Sequence, residues 1–225
     1  MLLVLRPNPG NEDEPMNTEI VMPDRIARLK RDSKGRPVPY FVAWKDGVPD
    51  FKVVRAVKVS ECTVNKVCWI CGEKLGKFLA FVIGPMCSVN RLSAEPPSHF
   101  DCAKYAAQAC PFLAHPQMQR RESLIHTTEE VVEPPGIFLK HNPGVTLVWV
   151  TTGYRPFMHN GGLLFDLGEP TTWIWYAEGR LATRAEVASS FETGLMKLHD
   201  IAEAEGQLEA FDRDLKKAMG LWPIL

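Results

Sequence analysis

The chain has little of what would mark it as a membrane or exported protein. Its longest nearly apolar run, FLAFVIGPM at 78–86, is about half of what a bilayer-spanning helix requires. The opening MLLVL is too short for a signal-peptide core and meets Arg6 and two prolines at once. Charge of one sign is also missing overall, with 26 Lys and Arg set against 27 Asp and Glu. Several catalytic signatures are absent as well. There is no phosphate-cradling glycine loop followed by lysine, no Gly-x-Ser-x-Gly elbow and no His-Glu-x-x-His pair. His115, His126, His141, His159 and His199 are scattered singly, a pattern more typical of surface or core histidines than of a catalytic set.

What is present is ordinary for a globular chain of 225 residues, with 45% hydrophobic and 24% charged residues. The balanced charge hides an asymmetry. Residues 22–60 carry ten Lys and Arg against four Asp, whereas residues 184–217 carry five basic against eight acidic side chains. Such a polarity can attract separate partners, or bring the two ends together.

Six cysteines are the informative feature. In a reducing, cytoplasmic setting they are expected to be thiols and metal ligands rather than disulfides. Cys68 and Cys71 form a Cys-x-x-Cys closed by Gly72, and His99 and Cys102 form a His-x-x-Cys downstream. Cys-Trp-Ile-Cys-Gly reads as a tight turn whose backbone N–H groups can face thiolate sulfur. Ser98, with Asp101 three residues on, reads as a helix cap that sets His99 and Cys102 on one face of a first turn. The positive end of that helix favours thiolate. Three thiolates and one imidazole make a closed tetrahedral shell with no position left for water, so the expected Zn²⁺ is structural rather than catalytic. Cys87 is the substitute ligand should one of the four fail, and Cys62 and Cys110 read as packing residues.

This stretch, about 68–105, resembles the treble-clef class of zinc fingers. That resemblance implies a knuckle bearing Cys68 and Cys71, a hairpin in KFLAFVIGPMCSVNRL, and a helix delivering His99 and Cys102. The class includes HNH-type nucleases, whose catalytic histidine lies on the hairpin between the ligand pairs. No histidine occurs between Gly72 and Ser98, so that chemistry is disfavoured. Zinc deaminases place their His-x-Glu before a Pro-Cys-x-x-Cys, and here the order is reversed.

The remaining segments predict an α+β protein: a treble-clef-like zinc lobe plus a small antiparallel sheet with C-terminal helices. Residues 1–21 read as a flexible leader, with Met22 an equally good start. A basic hairpin and zinc-binding lobe covers 22–119, a Pro-closed linker 120–136, and a strand-then-helix lobe 137–225. PYFVAW and FKVV flank a loop with Asp-Gly, a hairpin signal. Residues 58–67 read as a short helix that turns Cys62 inward. GVTLVWVTT, GGLLFDLG and TTWIWYAEG read as strands, the last alternating Trp173 and Trp175 against Ile174 and Tyr176. Thr183 and Glu186 form a capping box, followed by Val187, Phe191, Leu195, Leu198 and Ala202 on one helix face. Gly206 breaks the helix, and LWPIL folds back on apolar surface.

Function is expected to be binding without catalysis. One reading is a nucleic-acid contact through Arg25, Arg28, Lys30, Arg31, Lys34 and Arg36, with Tyr40, Phe41 and Trp44 interleaved as stacking rings. The alternative is a protein-binding adaptor or inhibitor that uses the acidic helices and the Trp173, Trp175, Tyr176 cluster. A third is an enzyme of unrecognised type.

Overall fold

The computed structural model describes residues 20–54, 56–114, 144–159 and 161–223. The fold is α+β. The expected linker 120–136 and nearly all of the expected leader lie outside the described residues.

The N-terminal portion begins with a single helical turn, α1 (Asp24–Ala27), that buries Ile26. A hairpin of β1 (Val42–Lys45) and β2 (Val48–Val54) follows. Its turn is two residues long, Asp46-Gly47, both at positive φ (50° and 78°). This primed geometry suits the twist of the flanking strands and requires glycine at the second position. Helix α2 (Ala56–Asn65) buries Cys62, as expected.

From there the chain departs from the hairpin that the treble-clef resemblance implies. Strand β3 (Leu79–Ile83) leads into helix α3 (Pro85–Asn90) and the short β4 (Leu92–Ser93), and β3 and β4 do not pair with each other. Pro85 starts α3, where its missing N–H is no loss. Helices α4 (Phe100–Ala109) and α5 (Pro111–Ala114) complete this portion.

The second portion supplies β5 (Thr146–Thr151), β6 (Tyr154–His159), β7 (Gly162–Leu167), β8 (Thr172–Ala177) and β9 (Arg180–Leu181), then α6 (Arg184–Ala204) and α7 (Leu208–Met219). Two antiparallel sheets cross the expected division of the chain. One has the order β3-β5-β8-β9 and the other β4-β7-β6, so β3 and β4 are each hydrogen-bonded to strands of the second portion. The expected 22–119 and 137–225 lobes are thus joined through shared sheets.

Strand β5 is buried along its whole length, because both faces of its sheet are covered. One face joins Phe81, Leu147, Trp149, Phe165, Trp175, Val187 and Phe191 in the main core. The other packs Ala80, Val148, Val150 and Tyr176 against Ala103 and Ala107 of α4. In TTWIWYAEG the expected alternation of faces holds, but because both faces are covered Trp175 and Tyr176 are both buried, while Trp173 is exposed. Strand β6 was not expected from the sequence. It is the edge of its sheet and carries Pro156, a residue tolerated only where a ladder N–H is dispensable.

Helix α6 starts as its capping box predicts. Thr183 N–H donates to Glu186 Oε2 (2.8 Å) and Glu186 N–H donates to Thr183 Oγ1 (3.3 Å). Val187 and Phe191 are fully buried beneath it. Trp222 folds back onto Phe191, with ring centroids 5.0 Å apart, and Trp175 donates its indole N–H to Leu221 O (2.8 Å).

Candidate metal centre

The knuckle is built by backbone pairing. Val67 and Lys74 form an antiparallel bridge, Cys68 N–H donates to Glu73 O (2.8 Å), and Gly72 N–H donates to Cys68 O (2.8 Å). Between them the chain reverses tightly enough to bring Cys68 and Cys71 side by side. Gly72 sits at φ +77°, and a Cβ there would lie 2.7 Å from the Tyr40 ring. Left-handed backbone and lack of space both demand glycine. Tyr40 is fixed in turn, since its N–H donates to Ile70 O (2.8 Å), its hydroxyl bonds Glu61, and the Lys58 ammonium lies 3.9 Å from its ring centroid.

The second ligand pair arrives on α4. Its N-cap is His99 itself, and Ser98 is not the cap expected from the sequence. Ser98 is engaged one step earlier, in a two-way backbone pairing with Ala80 of β3 (2.8 and 2.7 Å). That pairing is what aims the helix start at the knuckle. Cys102 follows in the first turn of α4, where the helix field favours thiolate.

The structure brings together the four side chains that the spacing singled out. The sulfurs of Cys68, Cys71 and Cys102 and one ring nitrogen of His99 all lie within 4.8 Å of one another. His99 Nδ1 is 3.4 Å from Cys71 Sγ and 3.9 Å from Cys102 Sγ. A tetrahedral zinc ion with bonds of about 2.3 Å to sulfur and about 2.0 Å to nitrogen sets sulfur–nitrogen edges of about 3.5 Å and sulfur–sulfur edges of about 3.8 Å. The two sulfur–nitrogen distances, 3.4 and 3.9 Å, bracket that edge. All three cysteines are buried and His99 is half-buried.

Its outer contacts orient the donors. His99 Nε2 lies 2.9 Å from Lys74 O, an acceptor only, so Nε2 carries the proton and Nδ1 presents its lone pair to the sulfurs. Cys68 Sγ accepts the N–H groups of Cys71 and His99, both at 3.4 Å, as a metal-bound thiolate would. Without an ion, the close sulfurs push one another's ionisation in opposite directions. Hydrogen bonds from the Cys102 and Cys71 thiols hold Cys68 well below the usual thiol range. The bonds to Cys68 and Cys71 push Cys102 far above it. For Cys71 the bond with Cys102 pulls the thiol down, but the bond with Cys68 and burial prevail and push it up to about 11. A divalent cation bound among the sulfurs would take the place of their protons and remove that conflict. The residues present therefore fit a metal ion such as zinc, with every donor position filled by protein.

The other cysteines take no part. Cys87, the expected substitute, is on α3 and packs against the main core, outside the group of four. Cys62 is buried beside the cluster, and burial pushes its thiol up to about 12, the behaviour of a packing residue.

The six basic residues expected at nucleic acid divide into two groups. Arg25 pairs with Asp101 of α4 (3.3 Å) and Arg28 with Glu73 of the knuckle (2.6 Å), so both tie α1 to the elements that carry the Cys/His cluster. Arg31 donates to Gly35 O (2.7 Å), and Arg36 bonds Asp32 (2.7 Å) inside the following turn, where Lys34 contributes its backbone N–H to the same carboxylate (2.9 Å). Lys30 and Arg36 also reach the hairpin, with Lys30 Nζ 5.9 Å from the Trp44 ring centroid and the Arg36 guanidinium 5.5 Å from that of Phe51. Trp44 is 41% exposed and Phe51 47%. Phe41 instead stacks on buried Trp69 at 4.7 Å. Phe51 is a candidate contact that the sequence reading missed. Its place opposite the Trp44 strand becomes visible only once the two-residue turn fixes the register.

Among the described residues no helix is long and apolar enough to cross a membrane. Compared with family models, curated proteins and solved structures, the chain matches none.

Proposed function

We propose a non-catalytic, zinc-stabilised binding protein of the cytoplasm that contacts nucleic acid through the β1–β2 hairpin and the basic segment 25–36. The ion would be held by Cys68, Cys71, His99 and Cys102 in a treble-clef-like centre, and its role is to fix the platform from which α1 and the hairpin project. The observation that carries this reading is the pair of exposed rings, Trp44 and Phe51, each with a cation near its face. Rings of this kind can stack on unpaired bases while neighbouring cations meet phosphates. Single-stranded nucleic acid suits such a surface better than duplex, because its bases are open to stacking.

The test is fluorescence anisotropy with labelled single-stranded and duplex oligonucleotides over a salt series. Trp44→Ala is expected to weaken single-strand binding by about 1–3 kcal/mol. Neutralising Lys30 and Lys34 together is expected to lower the salt slope by about two contacts. No binding at low salt sinks the reading.

A second reading, a protein adaptor or inhibitor, is favoured by one feature of the acidic helices. Met196 is 77% exposed at a groove between α6 and α7 lined by Leu195, Phe211 and Leu215. A solution mass above 25.3 kDa in light scattering, abolished by Met196→Glu, would support it over the first.

A further inference from the structure

A cleft of about 320 Å³ lies between α3, the β7–β8 connection and the end of α7. Ser88, Arg91, Trp149, Glu169, Lys217 and Leu221 line it. Arg91 is unusual in three respects. It is the C-cap of α3 in the left-handed region, at φ 55°, a conformation disfavoured for a bulky side chain. Its carbonyl is held by the Leu167 N–H of β7 (2.8 Å). Its guanidinium lies 5.7 Å from the ring centroid of fully buried Trp149, whose indole N–H is itself fixed on Gly168 O (3.0 Å). The arginine is thus rooted at both ends, and its fork is directed at the cleft.

The fork is met by Glu169 in bidentate fashion, at 2.5 and 3.0 Å. Glu169 is an exposed loop residue, its side chain 77% accessible, whereas that of Arg91 is 22% accessible. A planar guanidinium receives two oxygens of a carboxylate or of a phosphate in the same way. The bidentate geometry makes this a good surface pair, but its carboxylate half is open to solvent and can be exchanged for another anion. Lys217 adds a second cation to the lining, shared at 3.6 Å with Asp214 on its own helix.

We propose that this cleft binds a phosphate dianion, free or as a phosphomonoester, with Arg91 as the two-pronged anchor, Lys217 as the second cation and Glu169 as a built-in carboxylate that the ligand displaces. With Glu169 turned out, two cations face two negative charges, a match that a monocarboxylate does not achieve. Leu221 supplies an apolar side to the cleft, which shields the cations from water there and strengthens the attraction. The proposal depends on neither the metal nor the nucleic-acid reading.

The test is titration of the full chain at about pH 8, where phosphate is mainly dianionic, with inorganic phosphate, glycerol phosphate and acetate, followed by amide chemical shifts of Arg91 and Lys217. Glu169→Gln frees the fork and is expected to tighten phosphate binding about fivefold, the equivalent of a weak surface ion pair. Arg91→Lys keeps the charge but loses the fork, and is expected to weaken binding at least tenfold. Lys217→Gln, a surface change, is expected to weaken it severalfold with no change in thermal midpoint. Tighter binding of glycerol phosphate than of inorganic phosphate marks the ester as the natural ligand, and the opposite order marks the free ion. Acetate binding as tightly as phosphate, or a Glu169→Gln chain that gains no affinity, overturns the proposal and leaves Arg91–Glu169 as a structural ion pair.

Discussion

The region around the Cys/His cluster and the region around β5 reach order by different means. The first gathers seven buried residues, Ile26, Cys62, Cys68, Trp69, Ile70, Cys71 and Cys102, three of which are candidate ligands. The second gathers fourteen, including Trp149, Phe165, Trp175 and Phe191, around a strand covered on both faces. Burial of apolar area stabilises by about 25 cal/mol per Å², so the second region, with twice as many buried residues, has the larger apolar reserve. The difference teaches where a metal is needed. A bound ion would add to a smaller core, one that the chain builds around Trp69 and Ile70 inside the Cys68–Gly72 turn.

Removing the ion is therefore the most forceful way to break the comparison. Chelation, or Cys102→Ser, is expected to cost on the order of 10 kcal/mol of local stabilisation. Amides of residues 67–75 should lose their exchange protection while those of β5 keep theirs. About one zinc per chain should be found by elemental analysis of the untreated protein. A chain that binds no metal and protects both regions equally would refute the division. The converse change is Phe165→Ala, which opens a cavity between the two sheets and is expected to cost about 3–5 kcal/mol. It should lower the global midpoint while leaving metal content intact.

Gly72→Ala sharpens the comparison at a single Cβ. The added methyl meets the Tyr40 ring at 2.7 Å and the backbone stays at positive φ. A cost of about 1–3 kcal/mol is expected, read as weaker metal retention against a competing chelator. A loss of global midpoint with unchanged retention would place the strain outside the metal-bearing region.

The grouping of Cys68, Cys71, His99 and Cys102 was legible because it is local. Two short spacings and a helix start carry it, and each ligand pair is set by backbone geometry within a few residues. What surrounds the set was less legible. The segment between the pairs is not a hairpin, since β3 finds a longer partner in β5 and β4 finds one in β7, choices made by strands far along the chain. Strand β6 was hidden by Pro156, which the edge position tolerates. The basic segment looked free because the acids that meet it, Glu73 for Arg28 and Asp101 for Arg25, belong to elements brought near only by folding. The helix of the second region was legible for the same reason as the ligands. Its cap and its apolar stripe are both written within one or two turns.

The smallest expected effect comes from that cap and from pH. Thr183→Ala removes one side of the capping box and is expected to cost about 1 kcal/mol. Glu186 also pairs with Arg180 (2.6 Å), and the Arg180 guanidinium together with Thr183 holds its carboxyl down at about 2, against an ordinary 4.5. Because the folded value is the lower one, this contribution is fully present above about 4.5 and is lost as pH falls through about 2. Acid also protonates the thiolates, so a global melt would mix the two regions. The readout must be local to the start of α6, as exchange at the Val187 amide is. Glu186→Gln should flatten the pH dependence of that exchange between 4.5 and 2. If variant and parent lose protection in parallel across that window, the Arg180 pair contributes nothing, and the helix rests on its buried face alone.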